Sequence, residues 1–70
     1  MEKITIHTEF IRLDAFLKFS GEAGTGGEAK LLITQGKVRV NGEACTQRGK
    51  KLRPGDEIET GGRSYAVAGP

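Results

Sequence analysis

The sequence predicts an α+β fold in which two short helices pack on a small antiparallel sheet. Three observations carry that expectation. Apolar residues recur at helical spacing twice in the first half, at Leu13, Phe16 and Leu17 and again at Ala29, Leu32 and Ile33. The period then falls to two from Lys37 onward, with Val38 and Val40 alternating against Lys37 and Arg39. Three glycine-containing turn signals, Asn41-Gly42, Pro54-Gly55 and Gly61-Gly62, divide that second half into short strands.

Ile4-Thr5-Ile6 alternates and is expected to form a short first strand. Helical spacing begins at Arg12, with Asp14 and Lys18 turned away from the apolar face and Asp14 complementing the helix dipole. Ser20-Gly21 ends this helix, and a glycine-rich connection runs to Gly27. The second helix opens with Thr25 as N-cap and Glu28 three residues later, a capping box in which each side chain satisfies a backbone donor. Gly36 supplies its C-terminal stop, and Lys30 and Gln35 stay on the outer surface. Asn41-Gly42 makes a hairpin because both residues accept positive φ. Arg53-Pro54-Gly55-Asp56 reads as a type II turn, Glu57-Ile58-Glu59 as a strand, and Ser64 to Ala68 as the last strand, with Tyr65 and Val67 inward.

The 70 residues bound the answer to one domain, 1–70, with a small core. Charged residues, 29% of the chain, are interspersed rather than massed in a tail, which favours folding over disorder. A single cysteine, Cys45, permits neither an internal disulfide nor a thiolate zinc site, and it is expected to be half-buried. No stretch approaches the ~20 apolar residues of a membrane span, and a signal-peptide core is absent. A cytoplasmic monomer without cofactor, metal or small-molecule substrate is expected.

The formal charge of +2 hides a lopsided distribution. Lys30, Lys37, Arg39, Arg48, Lys50, Lys51 and Arg53 face a single acid, Glu43, between positions 30 and 53, while the rest of the chain is net acidic. Such a local excess is the electrostatic footprint of a polyanion binder. The start of the second helix adds exposed N–H groups and a positive dipole end, with glycine allowing close backbone approach. Of the aromatic residues Phe10, Phe16, Phe19 and Tyr65, most are expected in the core, so folded or double-helical RNA fits better than stacked single strands. His7, Asp14 and Asp56 stand at no spacing that suggests catalysis, and a non-enzyme is expected.

Read in order, Arg12-Leu13-Asp14-x-Phe16-Leu17-Lys18, Thr25-x-x-Glu28-Ala29-Lys30-x-x-Ile33, Gly36-x-Val38-x-Val40-Asn41-Gly42 and Leu52-x-Pro54-Gly55-Asp56-x-Ile58 resemble the S4 RNA-binding domain. The match covers a core motif at about 12–58. The basic Arg48-Gly49-Lys50-Lys51 and the C-terminal hairpin, 57–68, are similar to small stand-alone bacterial S4 proteins of the YbcJ type. The resemblance implies the S4-like (αL) two-helix motif on a sheet, binding structured RNA in ribosome assembly or translation. It places Arg12, Thr25, Gly26, Lys30, Lys37 and Arg39 on the RNA-facing surface. Where many S4 domains carry Ser-Arg at the second helix start, this chain has Thr25-Gly26, and Arg48, Lys50, Lys51 and Arg53 are expected to compensate. All these cations are expected to converge beside the amino end of the second helix.

Two other functions were weighed. A β-grasp sulfur carrier shares the short length and the Val-Asn-Gly turn, but needs a Gly-Gly terminus where this chain ends Ala68-Gly69-Pro70. A protein-interaction adaptor would use the same basic face against an acidic partner.

Overall fold

A computed structural model describes all residues, 1–70. In chain order the elements are β1 (Glu2–Thr5), β2 (Ile11–Arg12), α1 (Leu13–Ser20), α2 (Gly26–Thr34), β3 (Arg39–Val40), β4 (Glu43–Ala44), β5 (Lys51–Leu52), β6 (Glu57–Thr60) and β7 (Arg63–Ala68). Five strands form one sheet in the order β1-β7-β6-β3-β4, and β2 pairs with β5 in a separate two-stranded ribbon.

The turn chemistry sets the antiparallel part of the sheet. Asn41 (φ 52°) and Gly42 (φ 87°) both take left-handed conformations, closing the β3–β4 hairpin in the manner expected of a type I′ turn. Gly61 and Gly62 do the same between β6 and β7. Between β5 and β6, the Asp56 amide donates to the Arg53 carbonyl at 3.0 Å, and Gly55 has φ 101°, the type II geometry.

One pairing departs from an all-antiparallel sheet. β1 runs parallel to β7, with Ile4 opposite Val67 and Thr5 opposite Ala68. A parallel pair needs a crossover of a dozen or more residues, and here both helices and the intervening hairpins supply it. β1 also starts earlier than the alternation suggested, at Glu2. Ile6 lies beyond it, donating its amide to Ala68 and burying its side chain in the core.

The helices lay one face each on the sheet. α1 buries Leu13, Phe16 and Leu17; α2 buries Ala29 and Ile33, while Leu32 is only half-buried. They meet Val38, Val40, Ile58, Tyr65 and Val67 from the sheet, and Leu52 from the ribbon, in one cluster. Phe16 and Tyr65 pack edge to face, with ring centroids 6.0 Å apart. Each large side chain buried there stabilises the fold by roughly 1.5–3 kcal/mol relative to exposure. The expectation that most aromatics are core holds for these two and fails for Phe19, which is 64% exposed, and for Phe10, which is half-covered by cations.

Both helices are capped, by different means. At α2 the Glu28 amide donates to Thr25 Oγ1 at 3.1 Å, and the Glu28 carboxylate accepts from the Gly24 amide at 2.9 Å. The return contact thus reaches one residue further back than the expected capping box, onto Gly24 rather than Thr25. At the other end Gly36 N–H meets the Ile33 carbonyl and Lys37 N–H the Leu32 carbonyl, a Schellman closure with Gly36 at φ 73°. α1 has no side-chain cap at Arg12. Its first amides, those of Leu13 and Asp14, donate instead to the carbonyls of Lys50 and Arg48, at 2.8 and 3.1 Å.

Candidate nucleic-acid interface

The cap on α1 explains where the basic residues go. A helix leaves its first backbone N–H groups without intrahelical partners. Here the loop that carries Arg48, Gly49 and Lys50 folds back to satisfy two of them. The ribbon extends that attachment: Ile11 pairs with Leu52 and Arg12 with Lys51. Leu52 is fully buried between two exposed cations, Lys51 and Arg53, which therefore project together from the opposite side of the strand.

Phe10 lies under both of them. Lys51 Nζ is 4.8 Å from the centroid of its ring and the Arg53 guanidinium carbon is 5.9 Å away, both within cation–π range. Arg12 completes the group, with its guanidinium against Gly49, where a Cβ would stand 3.7 Å from Nη2. That guanidinium also makes the protein's single ion pair, to Asp14 Oδ2 at 3.2 Å, with its side chain 53% exposed. Arg12, Lys51 and Arg53 thus stand around β2 and β5, and the backbone of Arg48 and Lys50 is tied to the amino end of α1 beside them.

The remaining basic residues lie elsewhere. No hydrogen bond or ion pair joins Thr25, Gly26 or Lys30 to the cluster. The amino end of α2 already holds a carboxylate of its own, since Glu28 accepts from the Gly24 amide. Lys30 is exposed on the helix layer. Arg39 alternates with the buried Val38 and Val40, so it leaves the sheet on the face turned away from the helices, opposite Glu59 in register. Lys37 is exposed where α2 hands the chain to β3. The expected neighbour of the basic run is the amino end of α2; the backbone of Arg48 and Lys50 is instead hydrogen-bonded to the amino end of α1. The reason is the backbone cap, an acceptor that no side chain advertises.

Phe10 is the component of the cluster that its charge pattern does not mark. Its signal was present in the register: it precedes Ile11, whose partner Leu52 precedes Arg53, so an antiparallel ribbon sets Phe10 and Arg53 face to face.

Behind the cluster, a polar network fixes the turn that follows β5. Asp56 Oδ2 accepts from the Arg53 amide at 2.8 Å, and Asp56 Oδ1 accepts from Asn41 Nδ2 at 3.1 Å. Asn41 Oδ1 in turn accepts from the Glu57 amide at 2.9 Å, tying the β3–β4 turn to the start of β6. Asp56 is thus a turn residue, as its position implied. No three His, Cys, Asp or Glu side chains are grouped to hold a metal ion. No helix is long and apolar enough to cross a membrane.

Comparison with known proteins gives these features a context. A family model described as an S4 domain matches residues 4–68. The probable ribosome maturation protein RlbA of Bacillus subtilis is 42% identical over 59 residues, covering 84% of this chain and 83% of that protein. Among solved structures, that of YbcJ from E. coli, described as having an αL motif involved in RNA binding, superposes with a TM-score of 0.74 at 28% identity. It covers 97% of this chain and 87% of YbcJ. The ribosomal protein S4e of Thermoplasma acidophilum shares the fold, with a TM-score of 0.64 at 24% identity, across 84% of this chain and 31% of that one.

Proposed function

This chain belongs to the S4 domain family, and we propose that it binds structured RNA through the surface built by Arg12, Arg48, Lys50, Lys51 and Arg53. The observation that supports the reading is the ribbon that sets the exposed Arg12, Lys51 and Arg53 around Phe10, with the backbone of Arg48 and Lys50 bonded to the amino end of α1 beside it. Lysine and arginine side chains that neutralise phosphates release counterions, the main source of sequence-independent affinity. The RNA-binding motif described for YbcJ and the ribosome maturation role named for RlbA favour ribosomal RNA as the target, with the protein acting in assembly or translation. The protein works as a cytoplasmic monomer, by binding and without a catalytic step of its own.

Lys37 lies between the elements and serves as a flanking contact. Thr25, Gly26, Lys30 and Arg39 are secondary contacts, made when a large RNA reaches beyond the main cluster.

The shape of the site favours a folded target. Phe10 is covered by Lys51 and Arg53, so its ring supports cations rather than stacking a base. Recognition then rests on phosphate positions and helix shape, as is general for double-helical RNA. With about five phosphate contacts and a duplex slope of roughly 0.9 per contact, affinity falls roughly five-hundredfold between 50 and 200 mM salt.

The test is Lys50→Glu with Lys51→Glu. Both side chains are exposed, so the variant keeps the wild-type circular dichroism spectrum. Its affinity for a ribosomal RNA hairpin in a low-salt gel shift drops at least tenfold. Unchanged affinity sinks the proposal.

A further inference from the structure

The largest concavity of the protein borders the cationic cluster without coinciding with it. It is an open cleft of about 510 Å³ between the β3–β4 hairpin and the segment that follows it, within the size range of small-ligand sites. Ala44 and the half-buried Cys45 contribute apolar surface, Glu43 stands on the β4 edge, and Thr46, Gln47 and Lys50 complete the lining that matters. Lys50 therefore belongs to both the cleft and the cluster.

The polar lining is uncommitted. The Thr46 hydroxyl and the Gln47 carboxamide make no hydrogen bond within the protein; Gln47 is held through its backbone carbonyl, which accepts from the Lys50 amide at 3.1 Å and from Cys45 Sγ at 3.8 Å. A free carboxamide offers a donor and an acceptor side by side, the pair that reads the edge of a nucleobase. The charges are also ordered. Lys50 attracts a phosphate to the cluster side of the cleft, while the Glu43 carboxylate repels phosphate and accepts from an exocyclic amine. The lining thus holds one group suited to a phosphate and one suited to a base.

We propose that this cleft takes one unpaired nucleotide of the bound RNA, its base lying on Ala44 and Cys45 against Gln47 and its phosphate at Lys50. The inference rests on the RNA-binding reading and deepens it. A base paired within an A-form stem presents its edges in a groove too deep or too shallow for this cleft, whereas a bulged nucleotide swings clear of the stack. The five-cation surface would hold the flanking stem, and the cleft would select the stem that carries a bulge.

The experiment compares one RNA hairpin with four derivatives that carry a single bulged A, C, G or U in the stem, titrated by fluorescence anisotropy at fixed salt. Wild-type protein is expected to bind at least one bulged hairpin fivefold or more tighter than the parent. The Thr46→Val, Gln47→Ala variant is expected to bind every hairpin as the wild type binds the parent. Placing 2-aminopurine at the bulge gives a second measurement, independent of any variant: wild-type protein should change its fluorescence. Equal wild-type affinity for all five RNAs, or a preference that survives the double substitution, overturns the cleft assignment and leaves the RNA-binding reading standing. Absence of binding to all five overturns both.

Discussion

The ammonium of Lys51 stands 4.8 Å above the centre of the Phe10 ring. Arg53, two residues on along the same strand face, reaches the same ring at 5.9 Å. Two like charges are held side by side by the negative face of one aromatic ring, each contact contributing about 0.5–1 kcal/mol at an exposed site. The ring limits the rotamers of both side chains before any ligand arrives, which lowers the ordering cost of binding.

Phe10→Leu should therefore weaken RNA binding although it removes no charge. The expected loss is roughly three- to tenfold, equal to about 0.6–1.4 kcal/mol of lost cation placement. The slope of log affinity against log salt should stay that of the wild type, because the number of phosphates neutralised is unchanged. Gel shifts at three salt concentrations separate this outcome from a loss of contacts.

The position of the cluster gives a contrast between equal charge changes. Lys51→Glu should reduce affinity several-fold and lower the salt slope by about 0.9 for the duplex contact removed. Lys30→Glu and Arg39→Glu, on the helix layer and on the outer sheet face, should each reduce affinity less than twofold for a short hairpin. Equal effects from all three substitutions would argue for a diffuse field rather than a platform beside α1.

Asn41 combines a left-handed backbone, φ 52°, with two side-chain hydrogen bonds to Asp56 and the Glu57 amide. Asn41→Gly keeps the turn and loses the bonds, a cost of about 1 kcal/mol. Asn41→Ala loses both and should cost roughly 2–3 kcal/mol, since a left-handed alanine adds about 1–2 kcal/mol. Urea unfolding midpoints should rank wild type above the glycine variant and the glycine variant above alanine.

The buried Tyr65 hydroxyl donates to the Glu22 carboxylate, and that bond, followed by burial and against an opposing contribution from Arg63, raises its pKa above 10. A raised pKa in the folded state means that unfolded chains release the proton first as pH rises. The stability contributed by the protonated tyrosine is full below the unfolded value near 10 and declines as pH climbs from there through the folded pKa. Tyr65→Phe should remove this alkaline decline while lowering stability at pH 7 by about 1 kcal/mol. Thermal unfolding from pH 8 to 11 checks both signs; an unchanged decline in the variant would assign it to other groups.

Local chemistry made much of the fold legible. Thr25 and Gly36 mark the ends of α2 because a side-chain oxygen and a positive φ are properties of single residues. The same holds for the turns at Asn41-Gly42 and Gly61-Gly62. What escaped was non-local. The caps on α1 come from the carbonyls of Arg48 and Lys50, more than thirty residues away and without a side-chain signature. The β2–β5 ribbon has only two residues in each strand, too few to show alternation. Residues 48–53 thus read as a basic run, and their charge was legible while their address was not. Tyr65 and Glu22 are likewise 43 positions apart.

The placement of β7 between β1 and β6 has a consequence for biosynthesis. The final strand of the sheet to leave the ribosome is an interior one, so neither β1 nor β6 can complete its ladder while β7 is still in the exit tunnel. The helices and the cationic loop emerge first and must wait. Folding of the sheet is therefore gated by the emergence of β7, and a chain stalled before Arg63 would present an open seam along both neighbours.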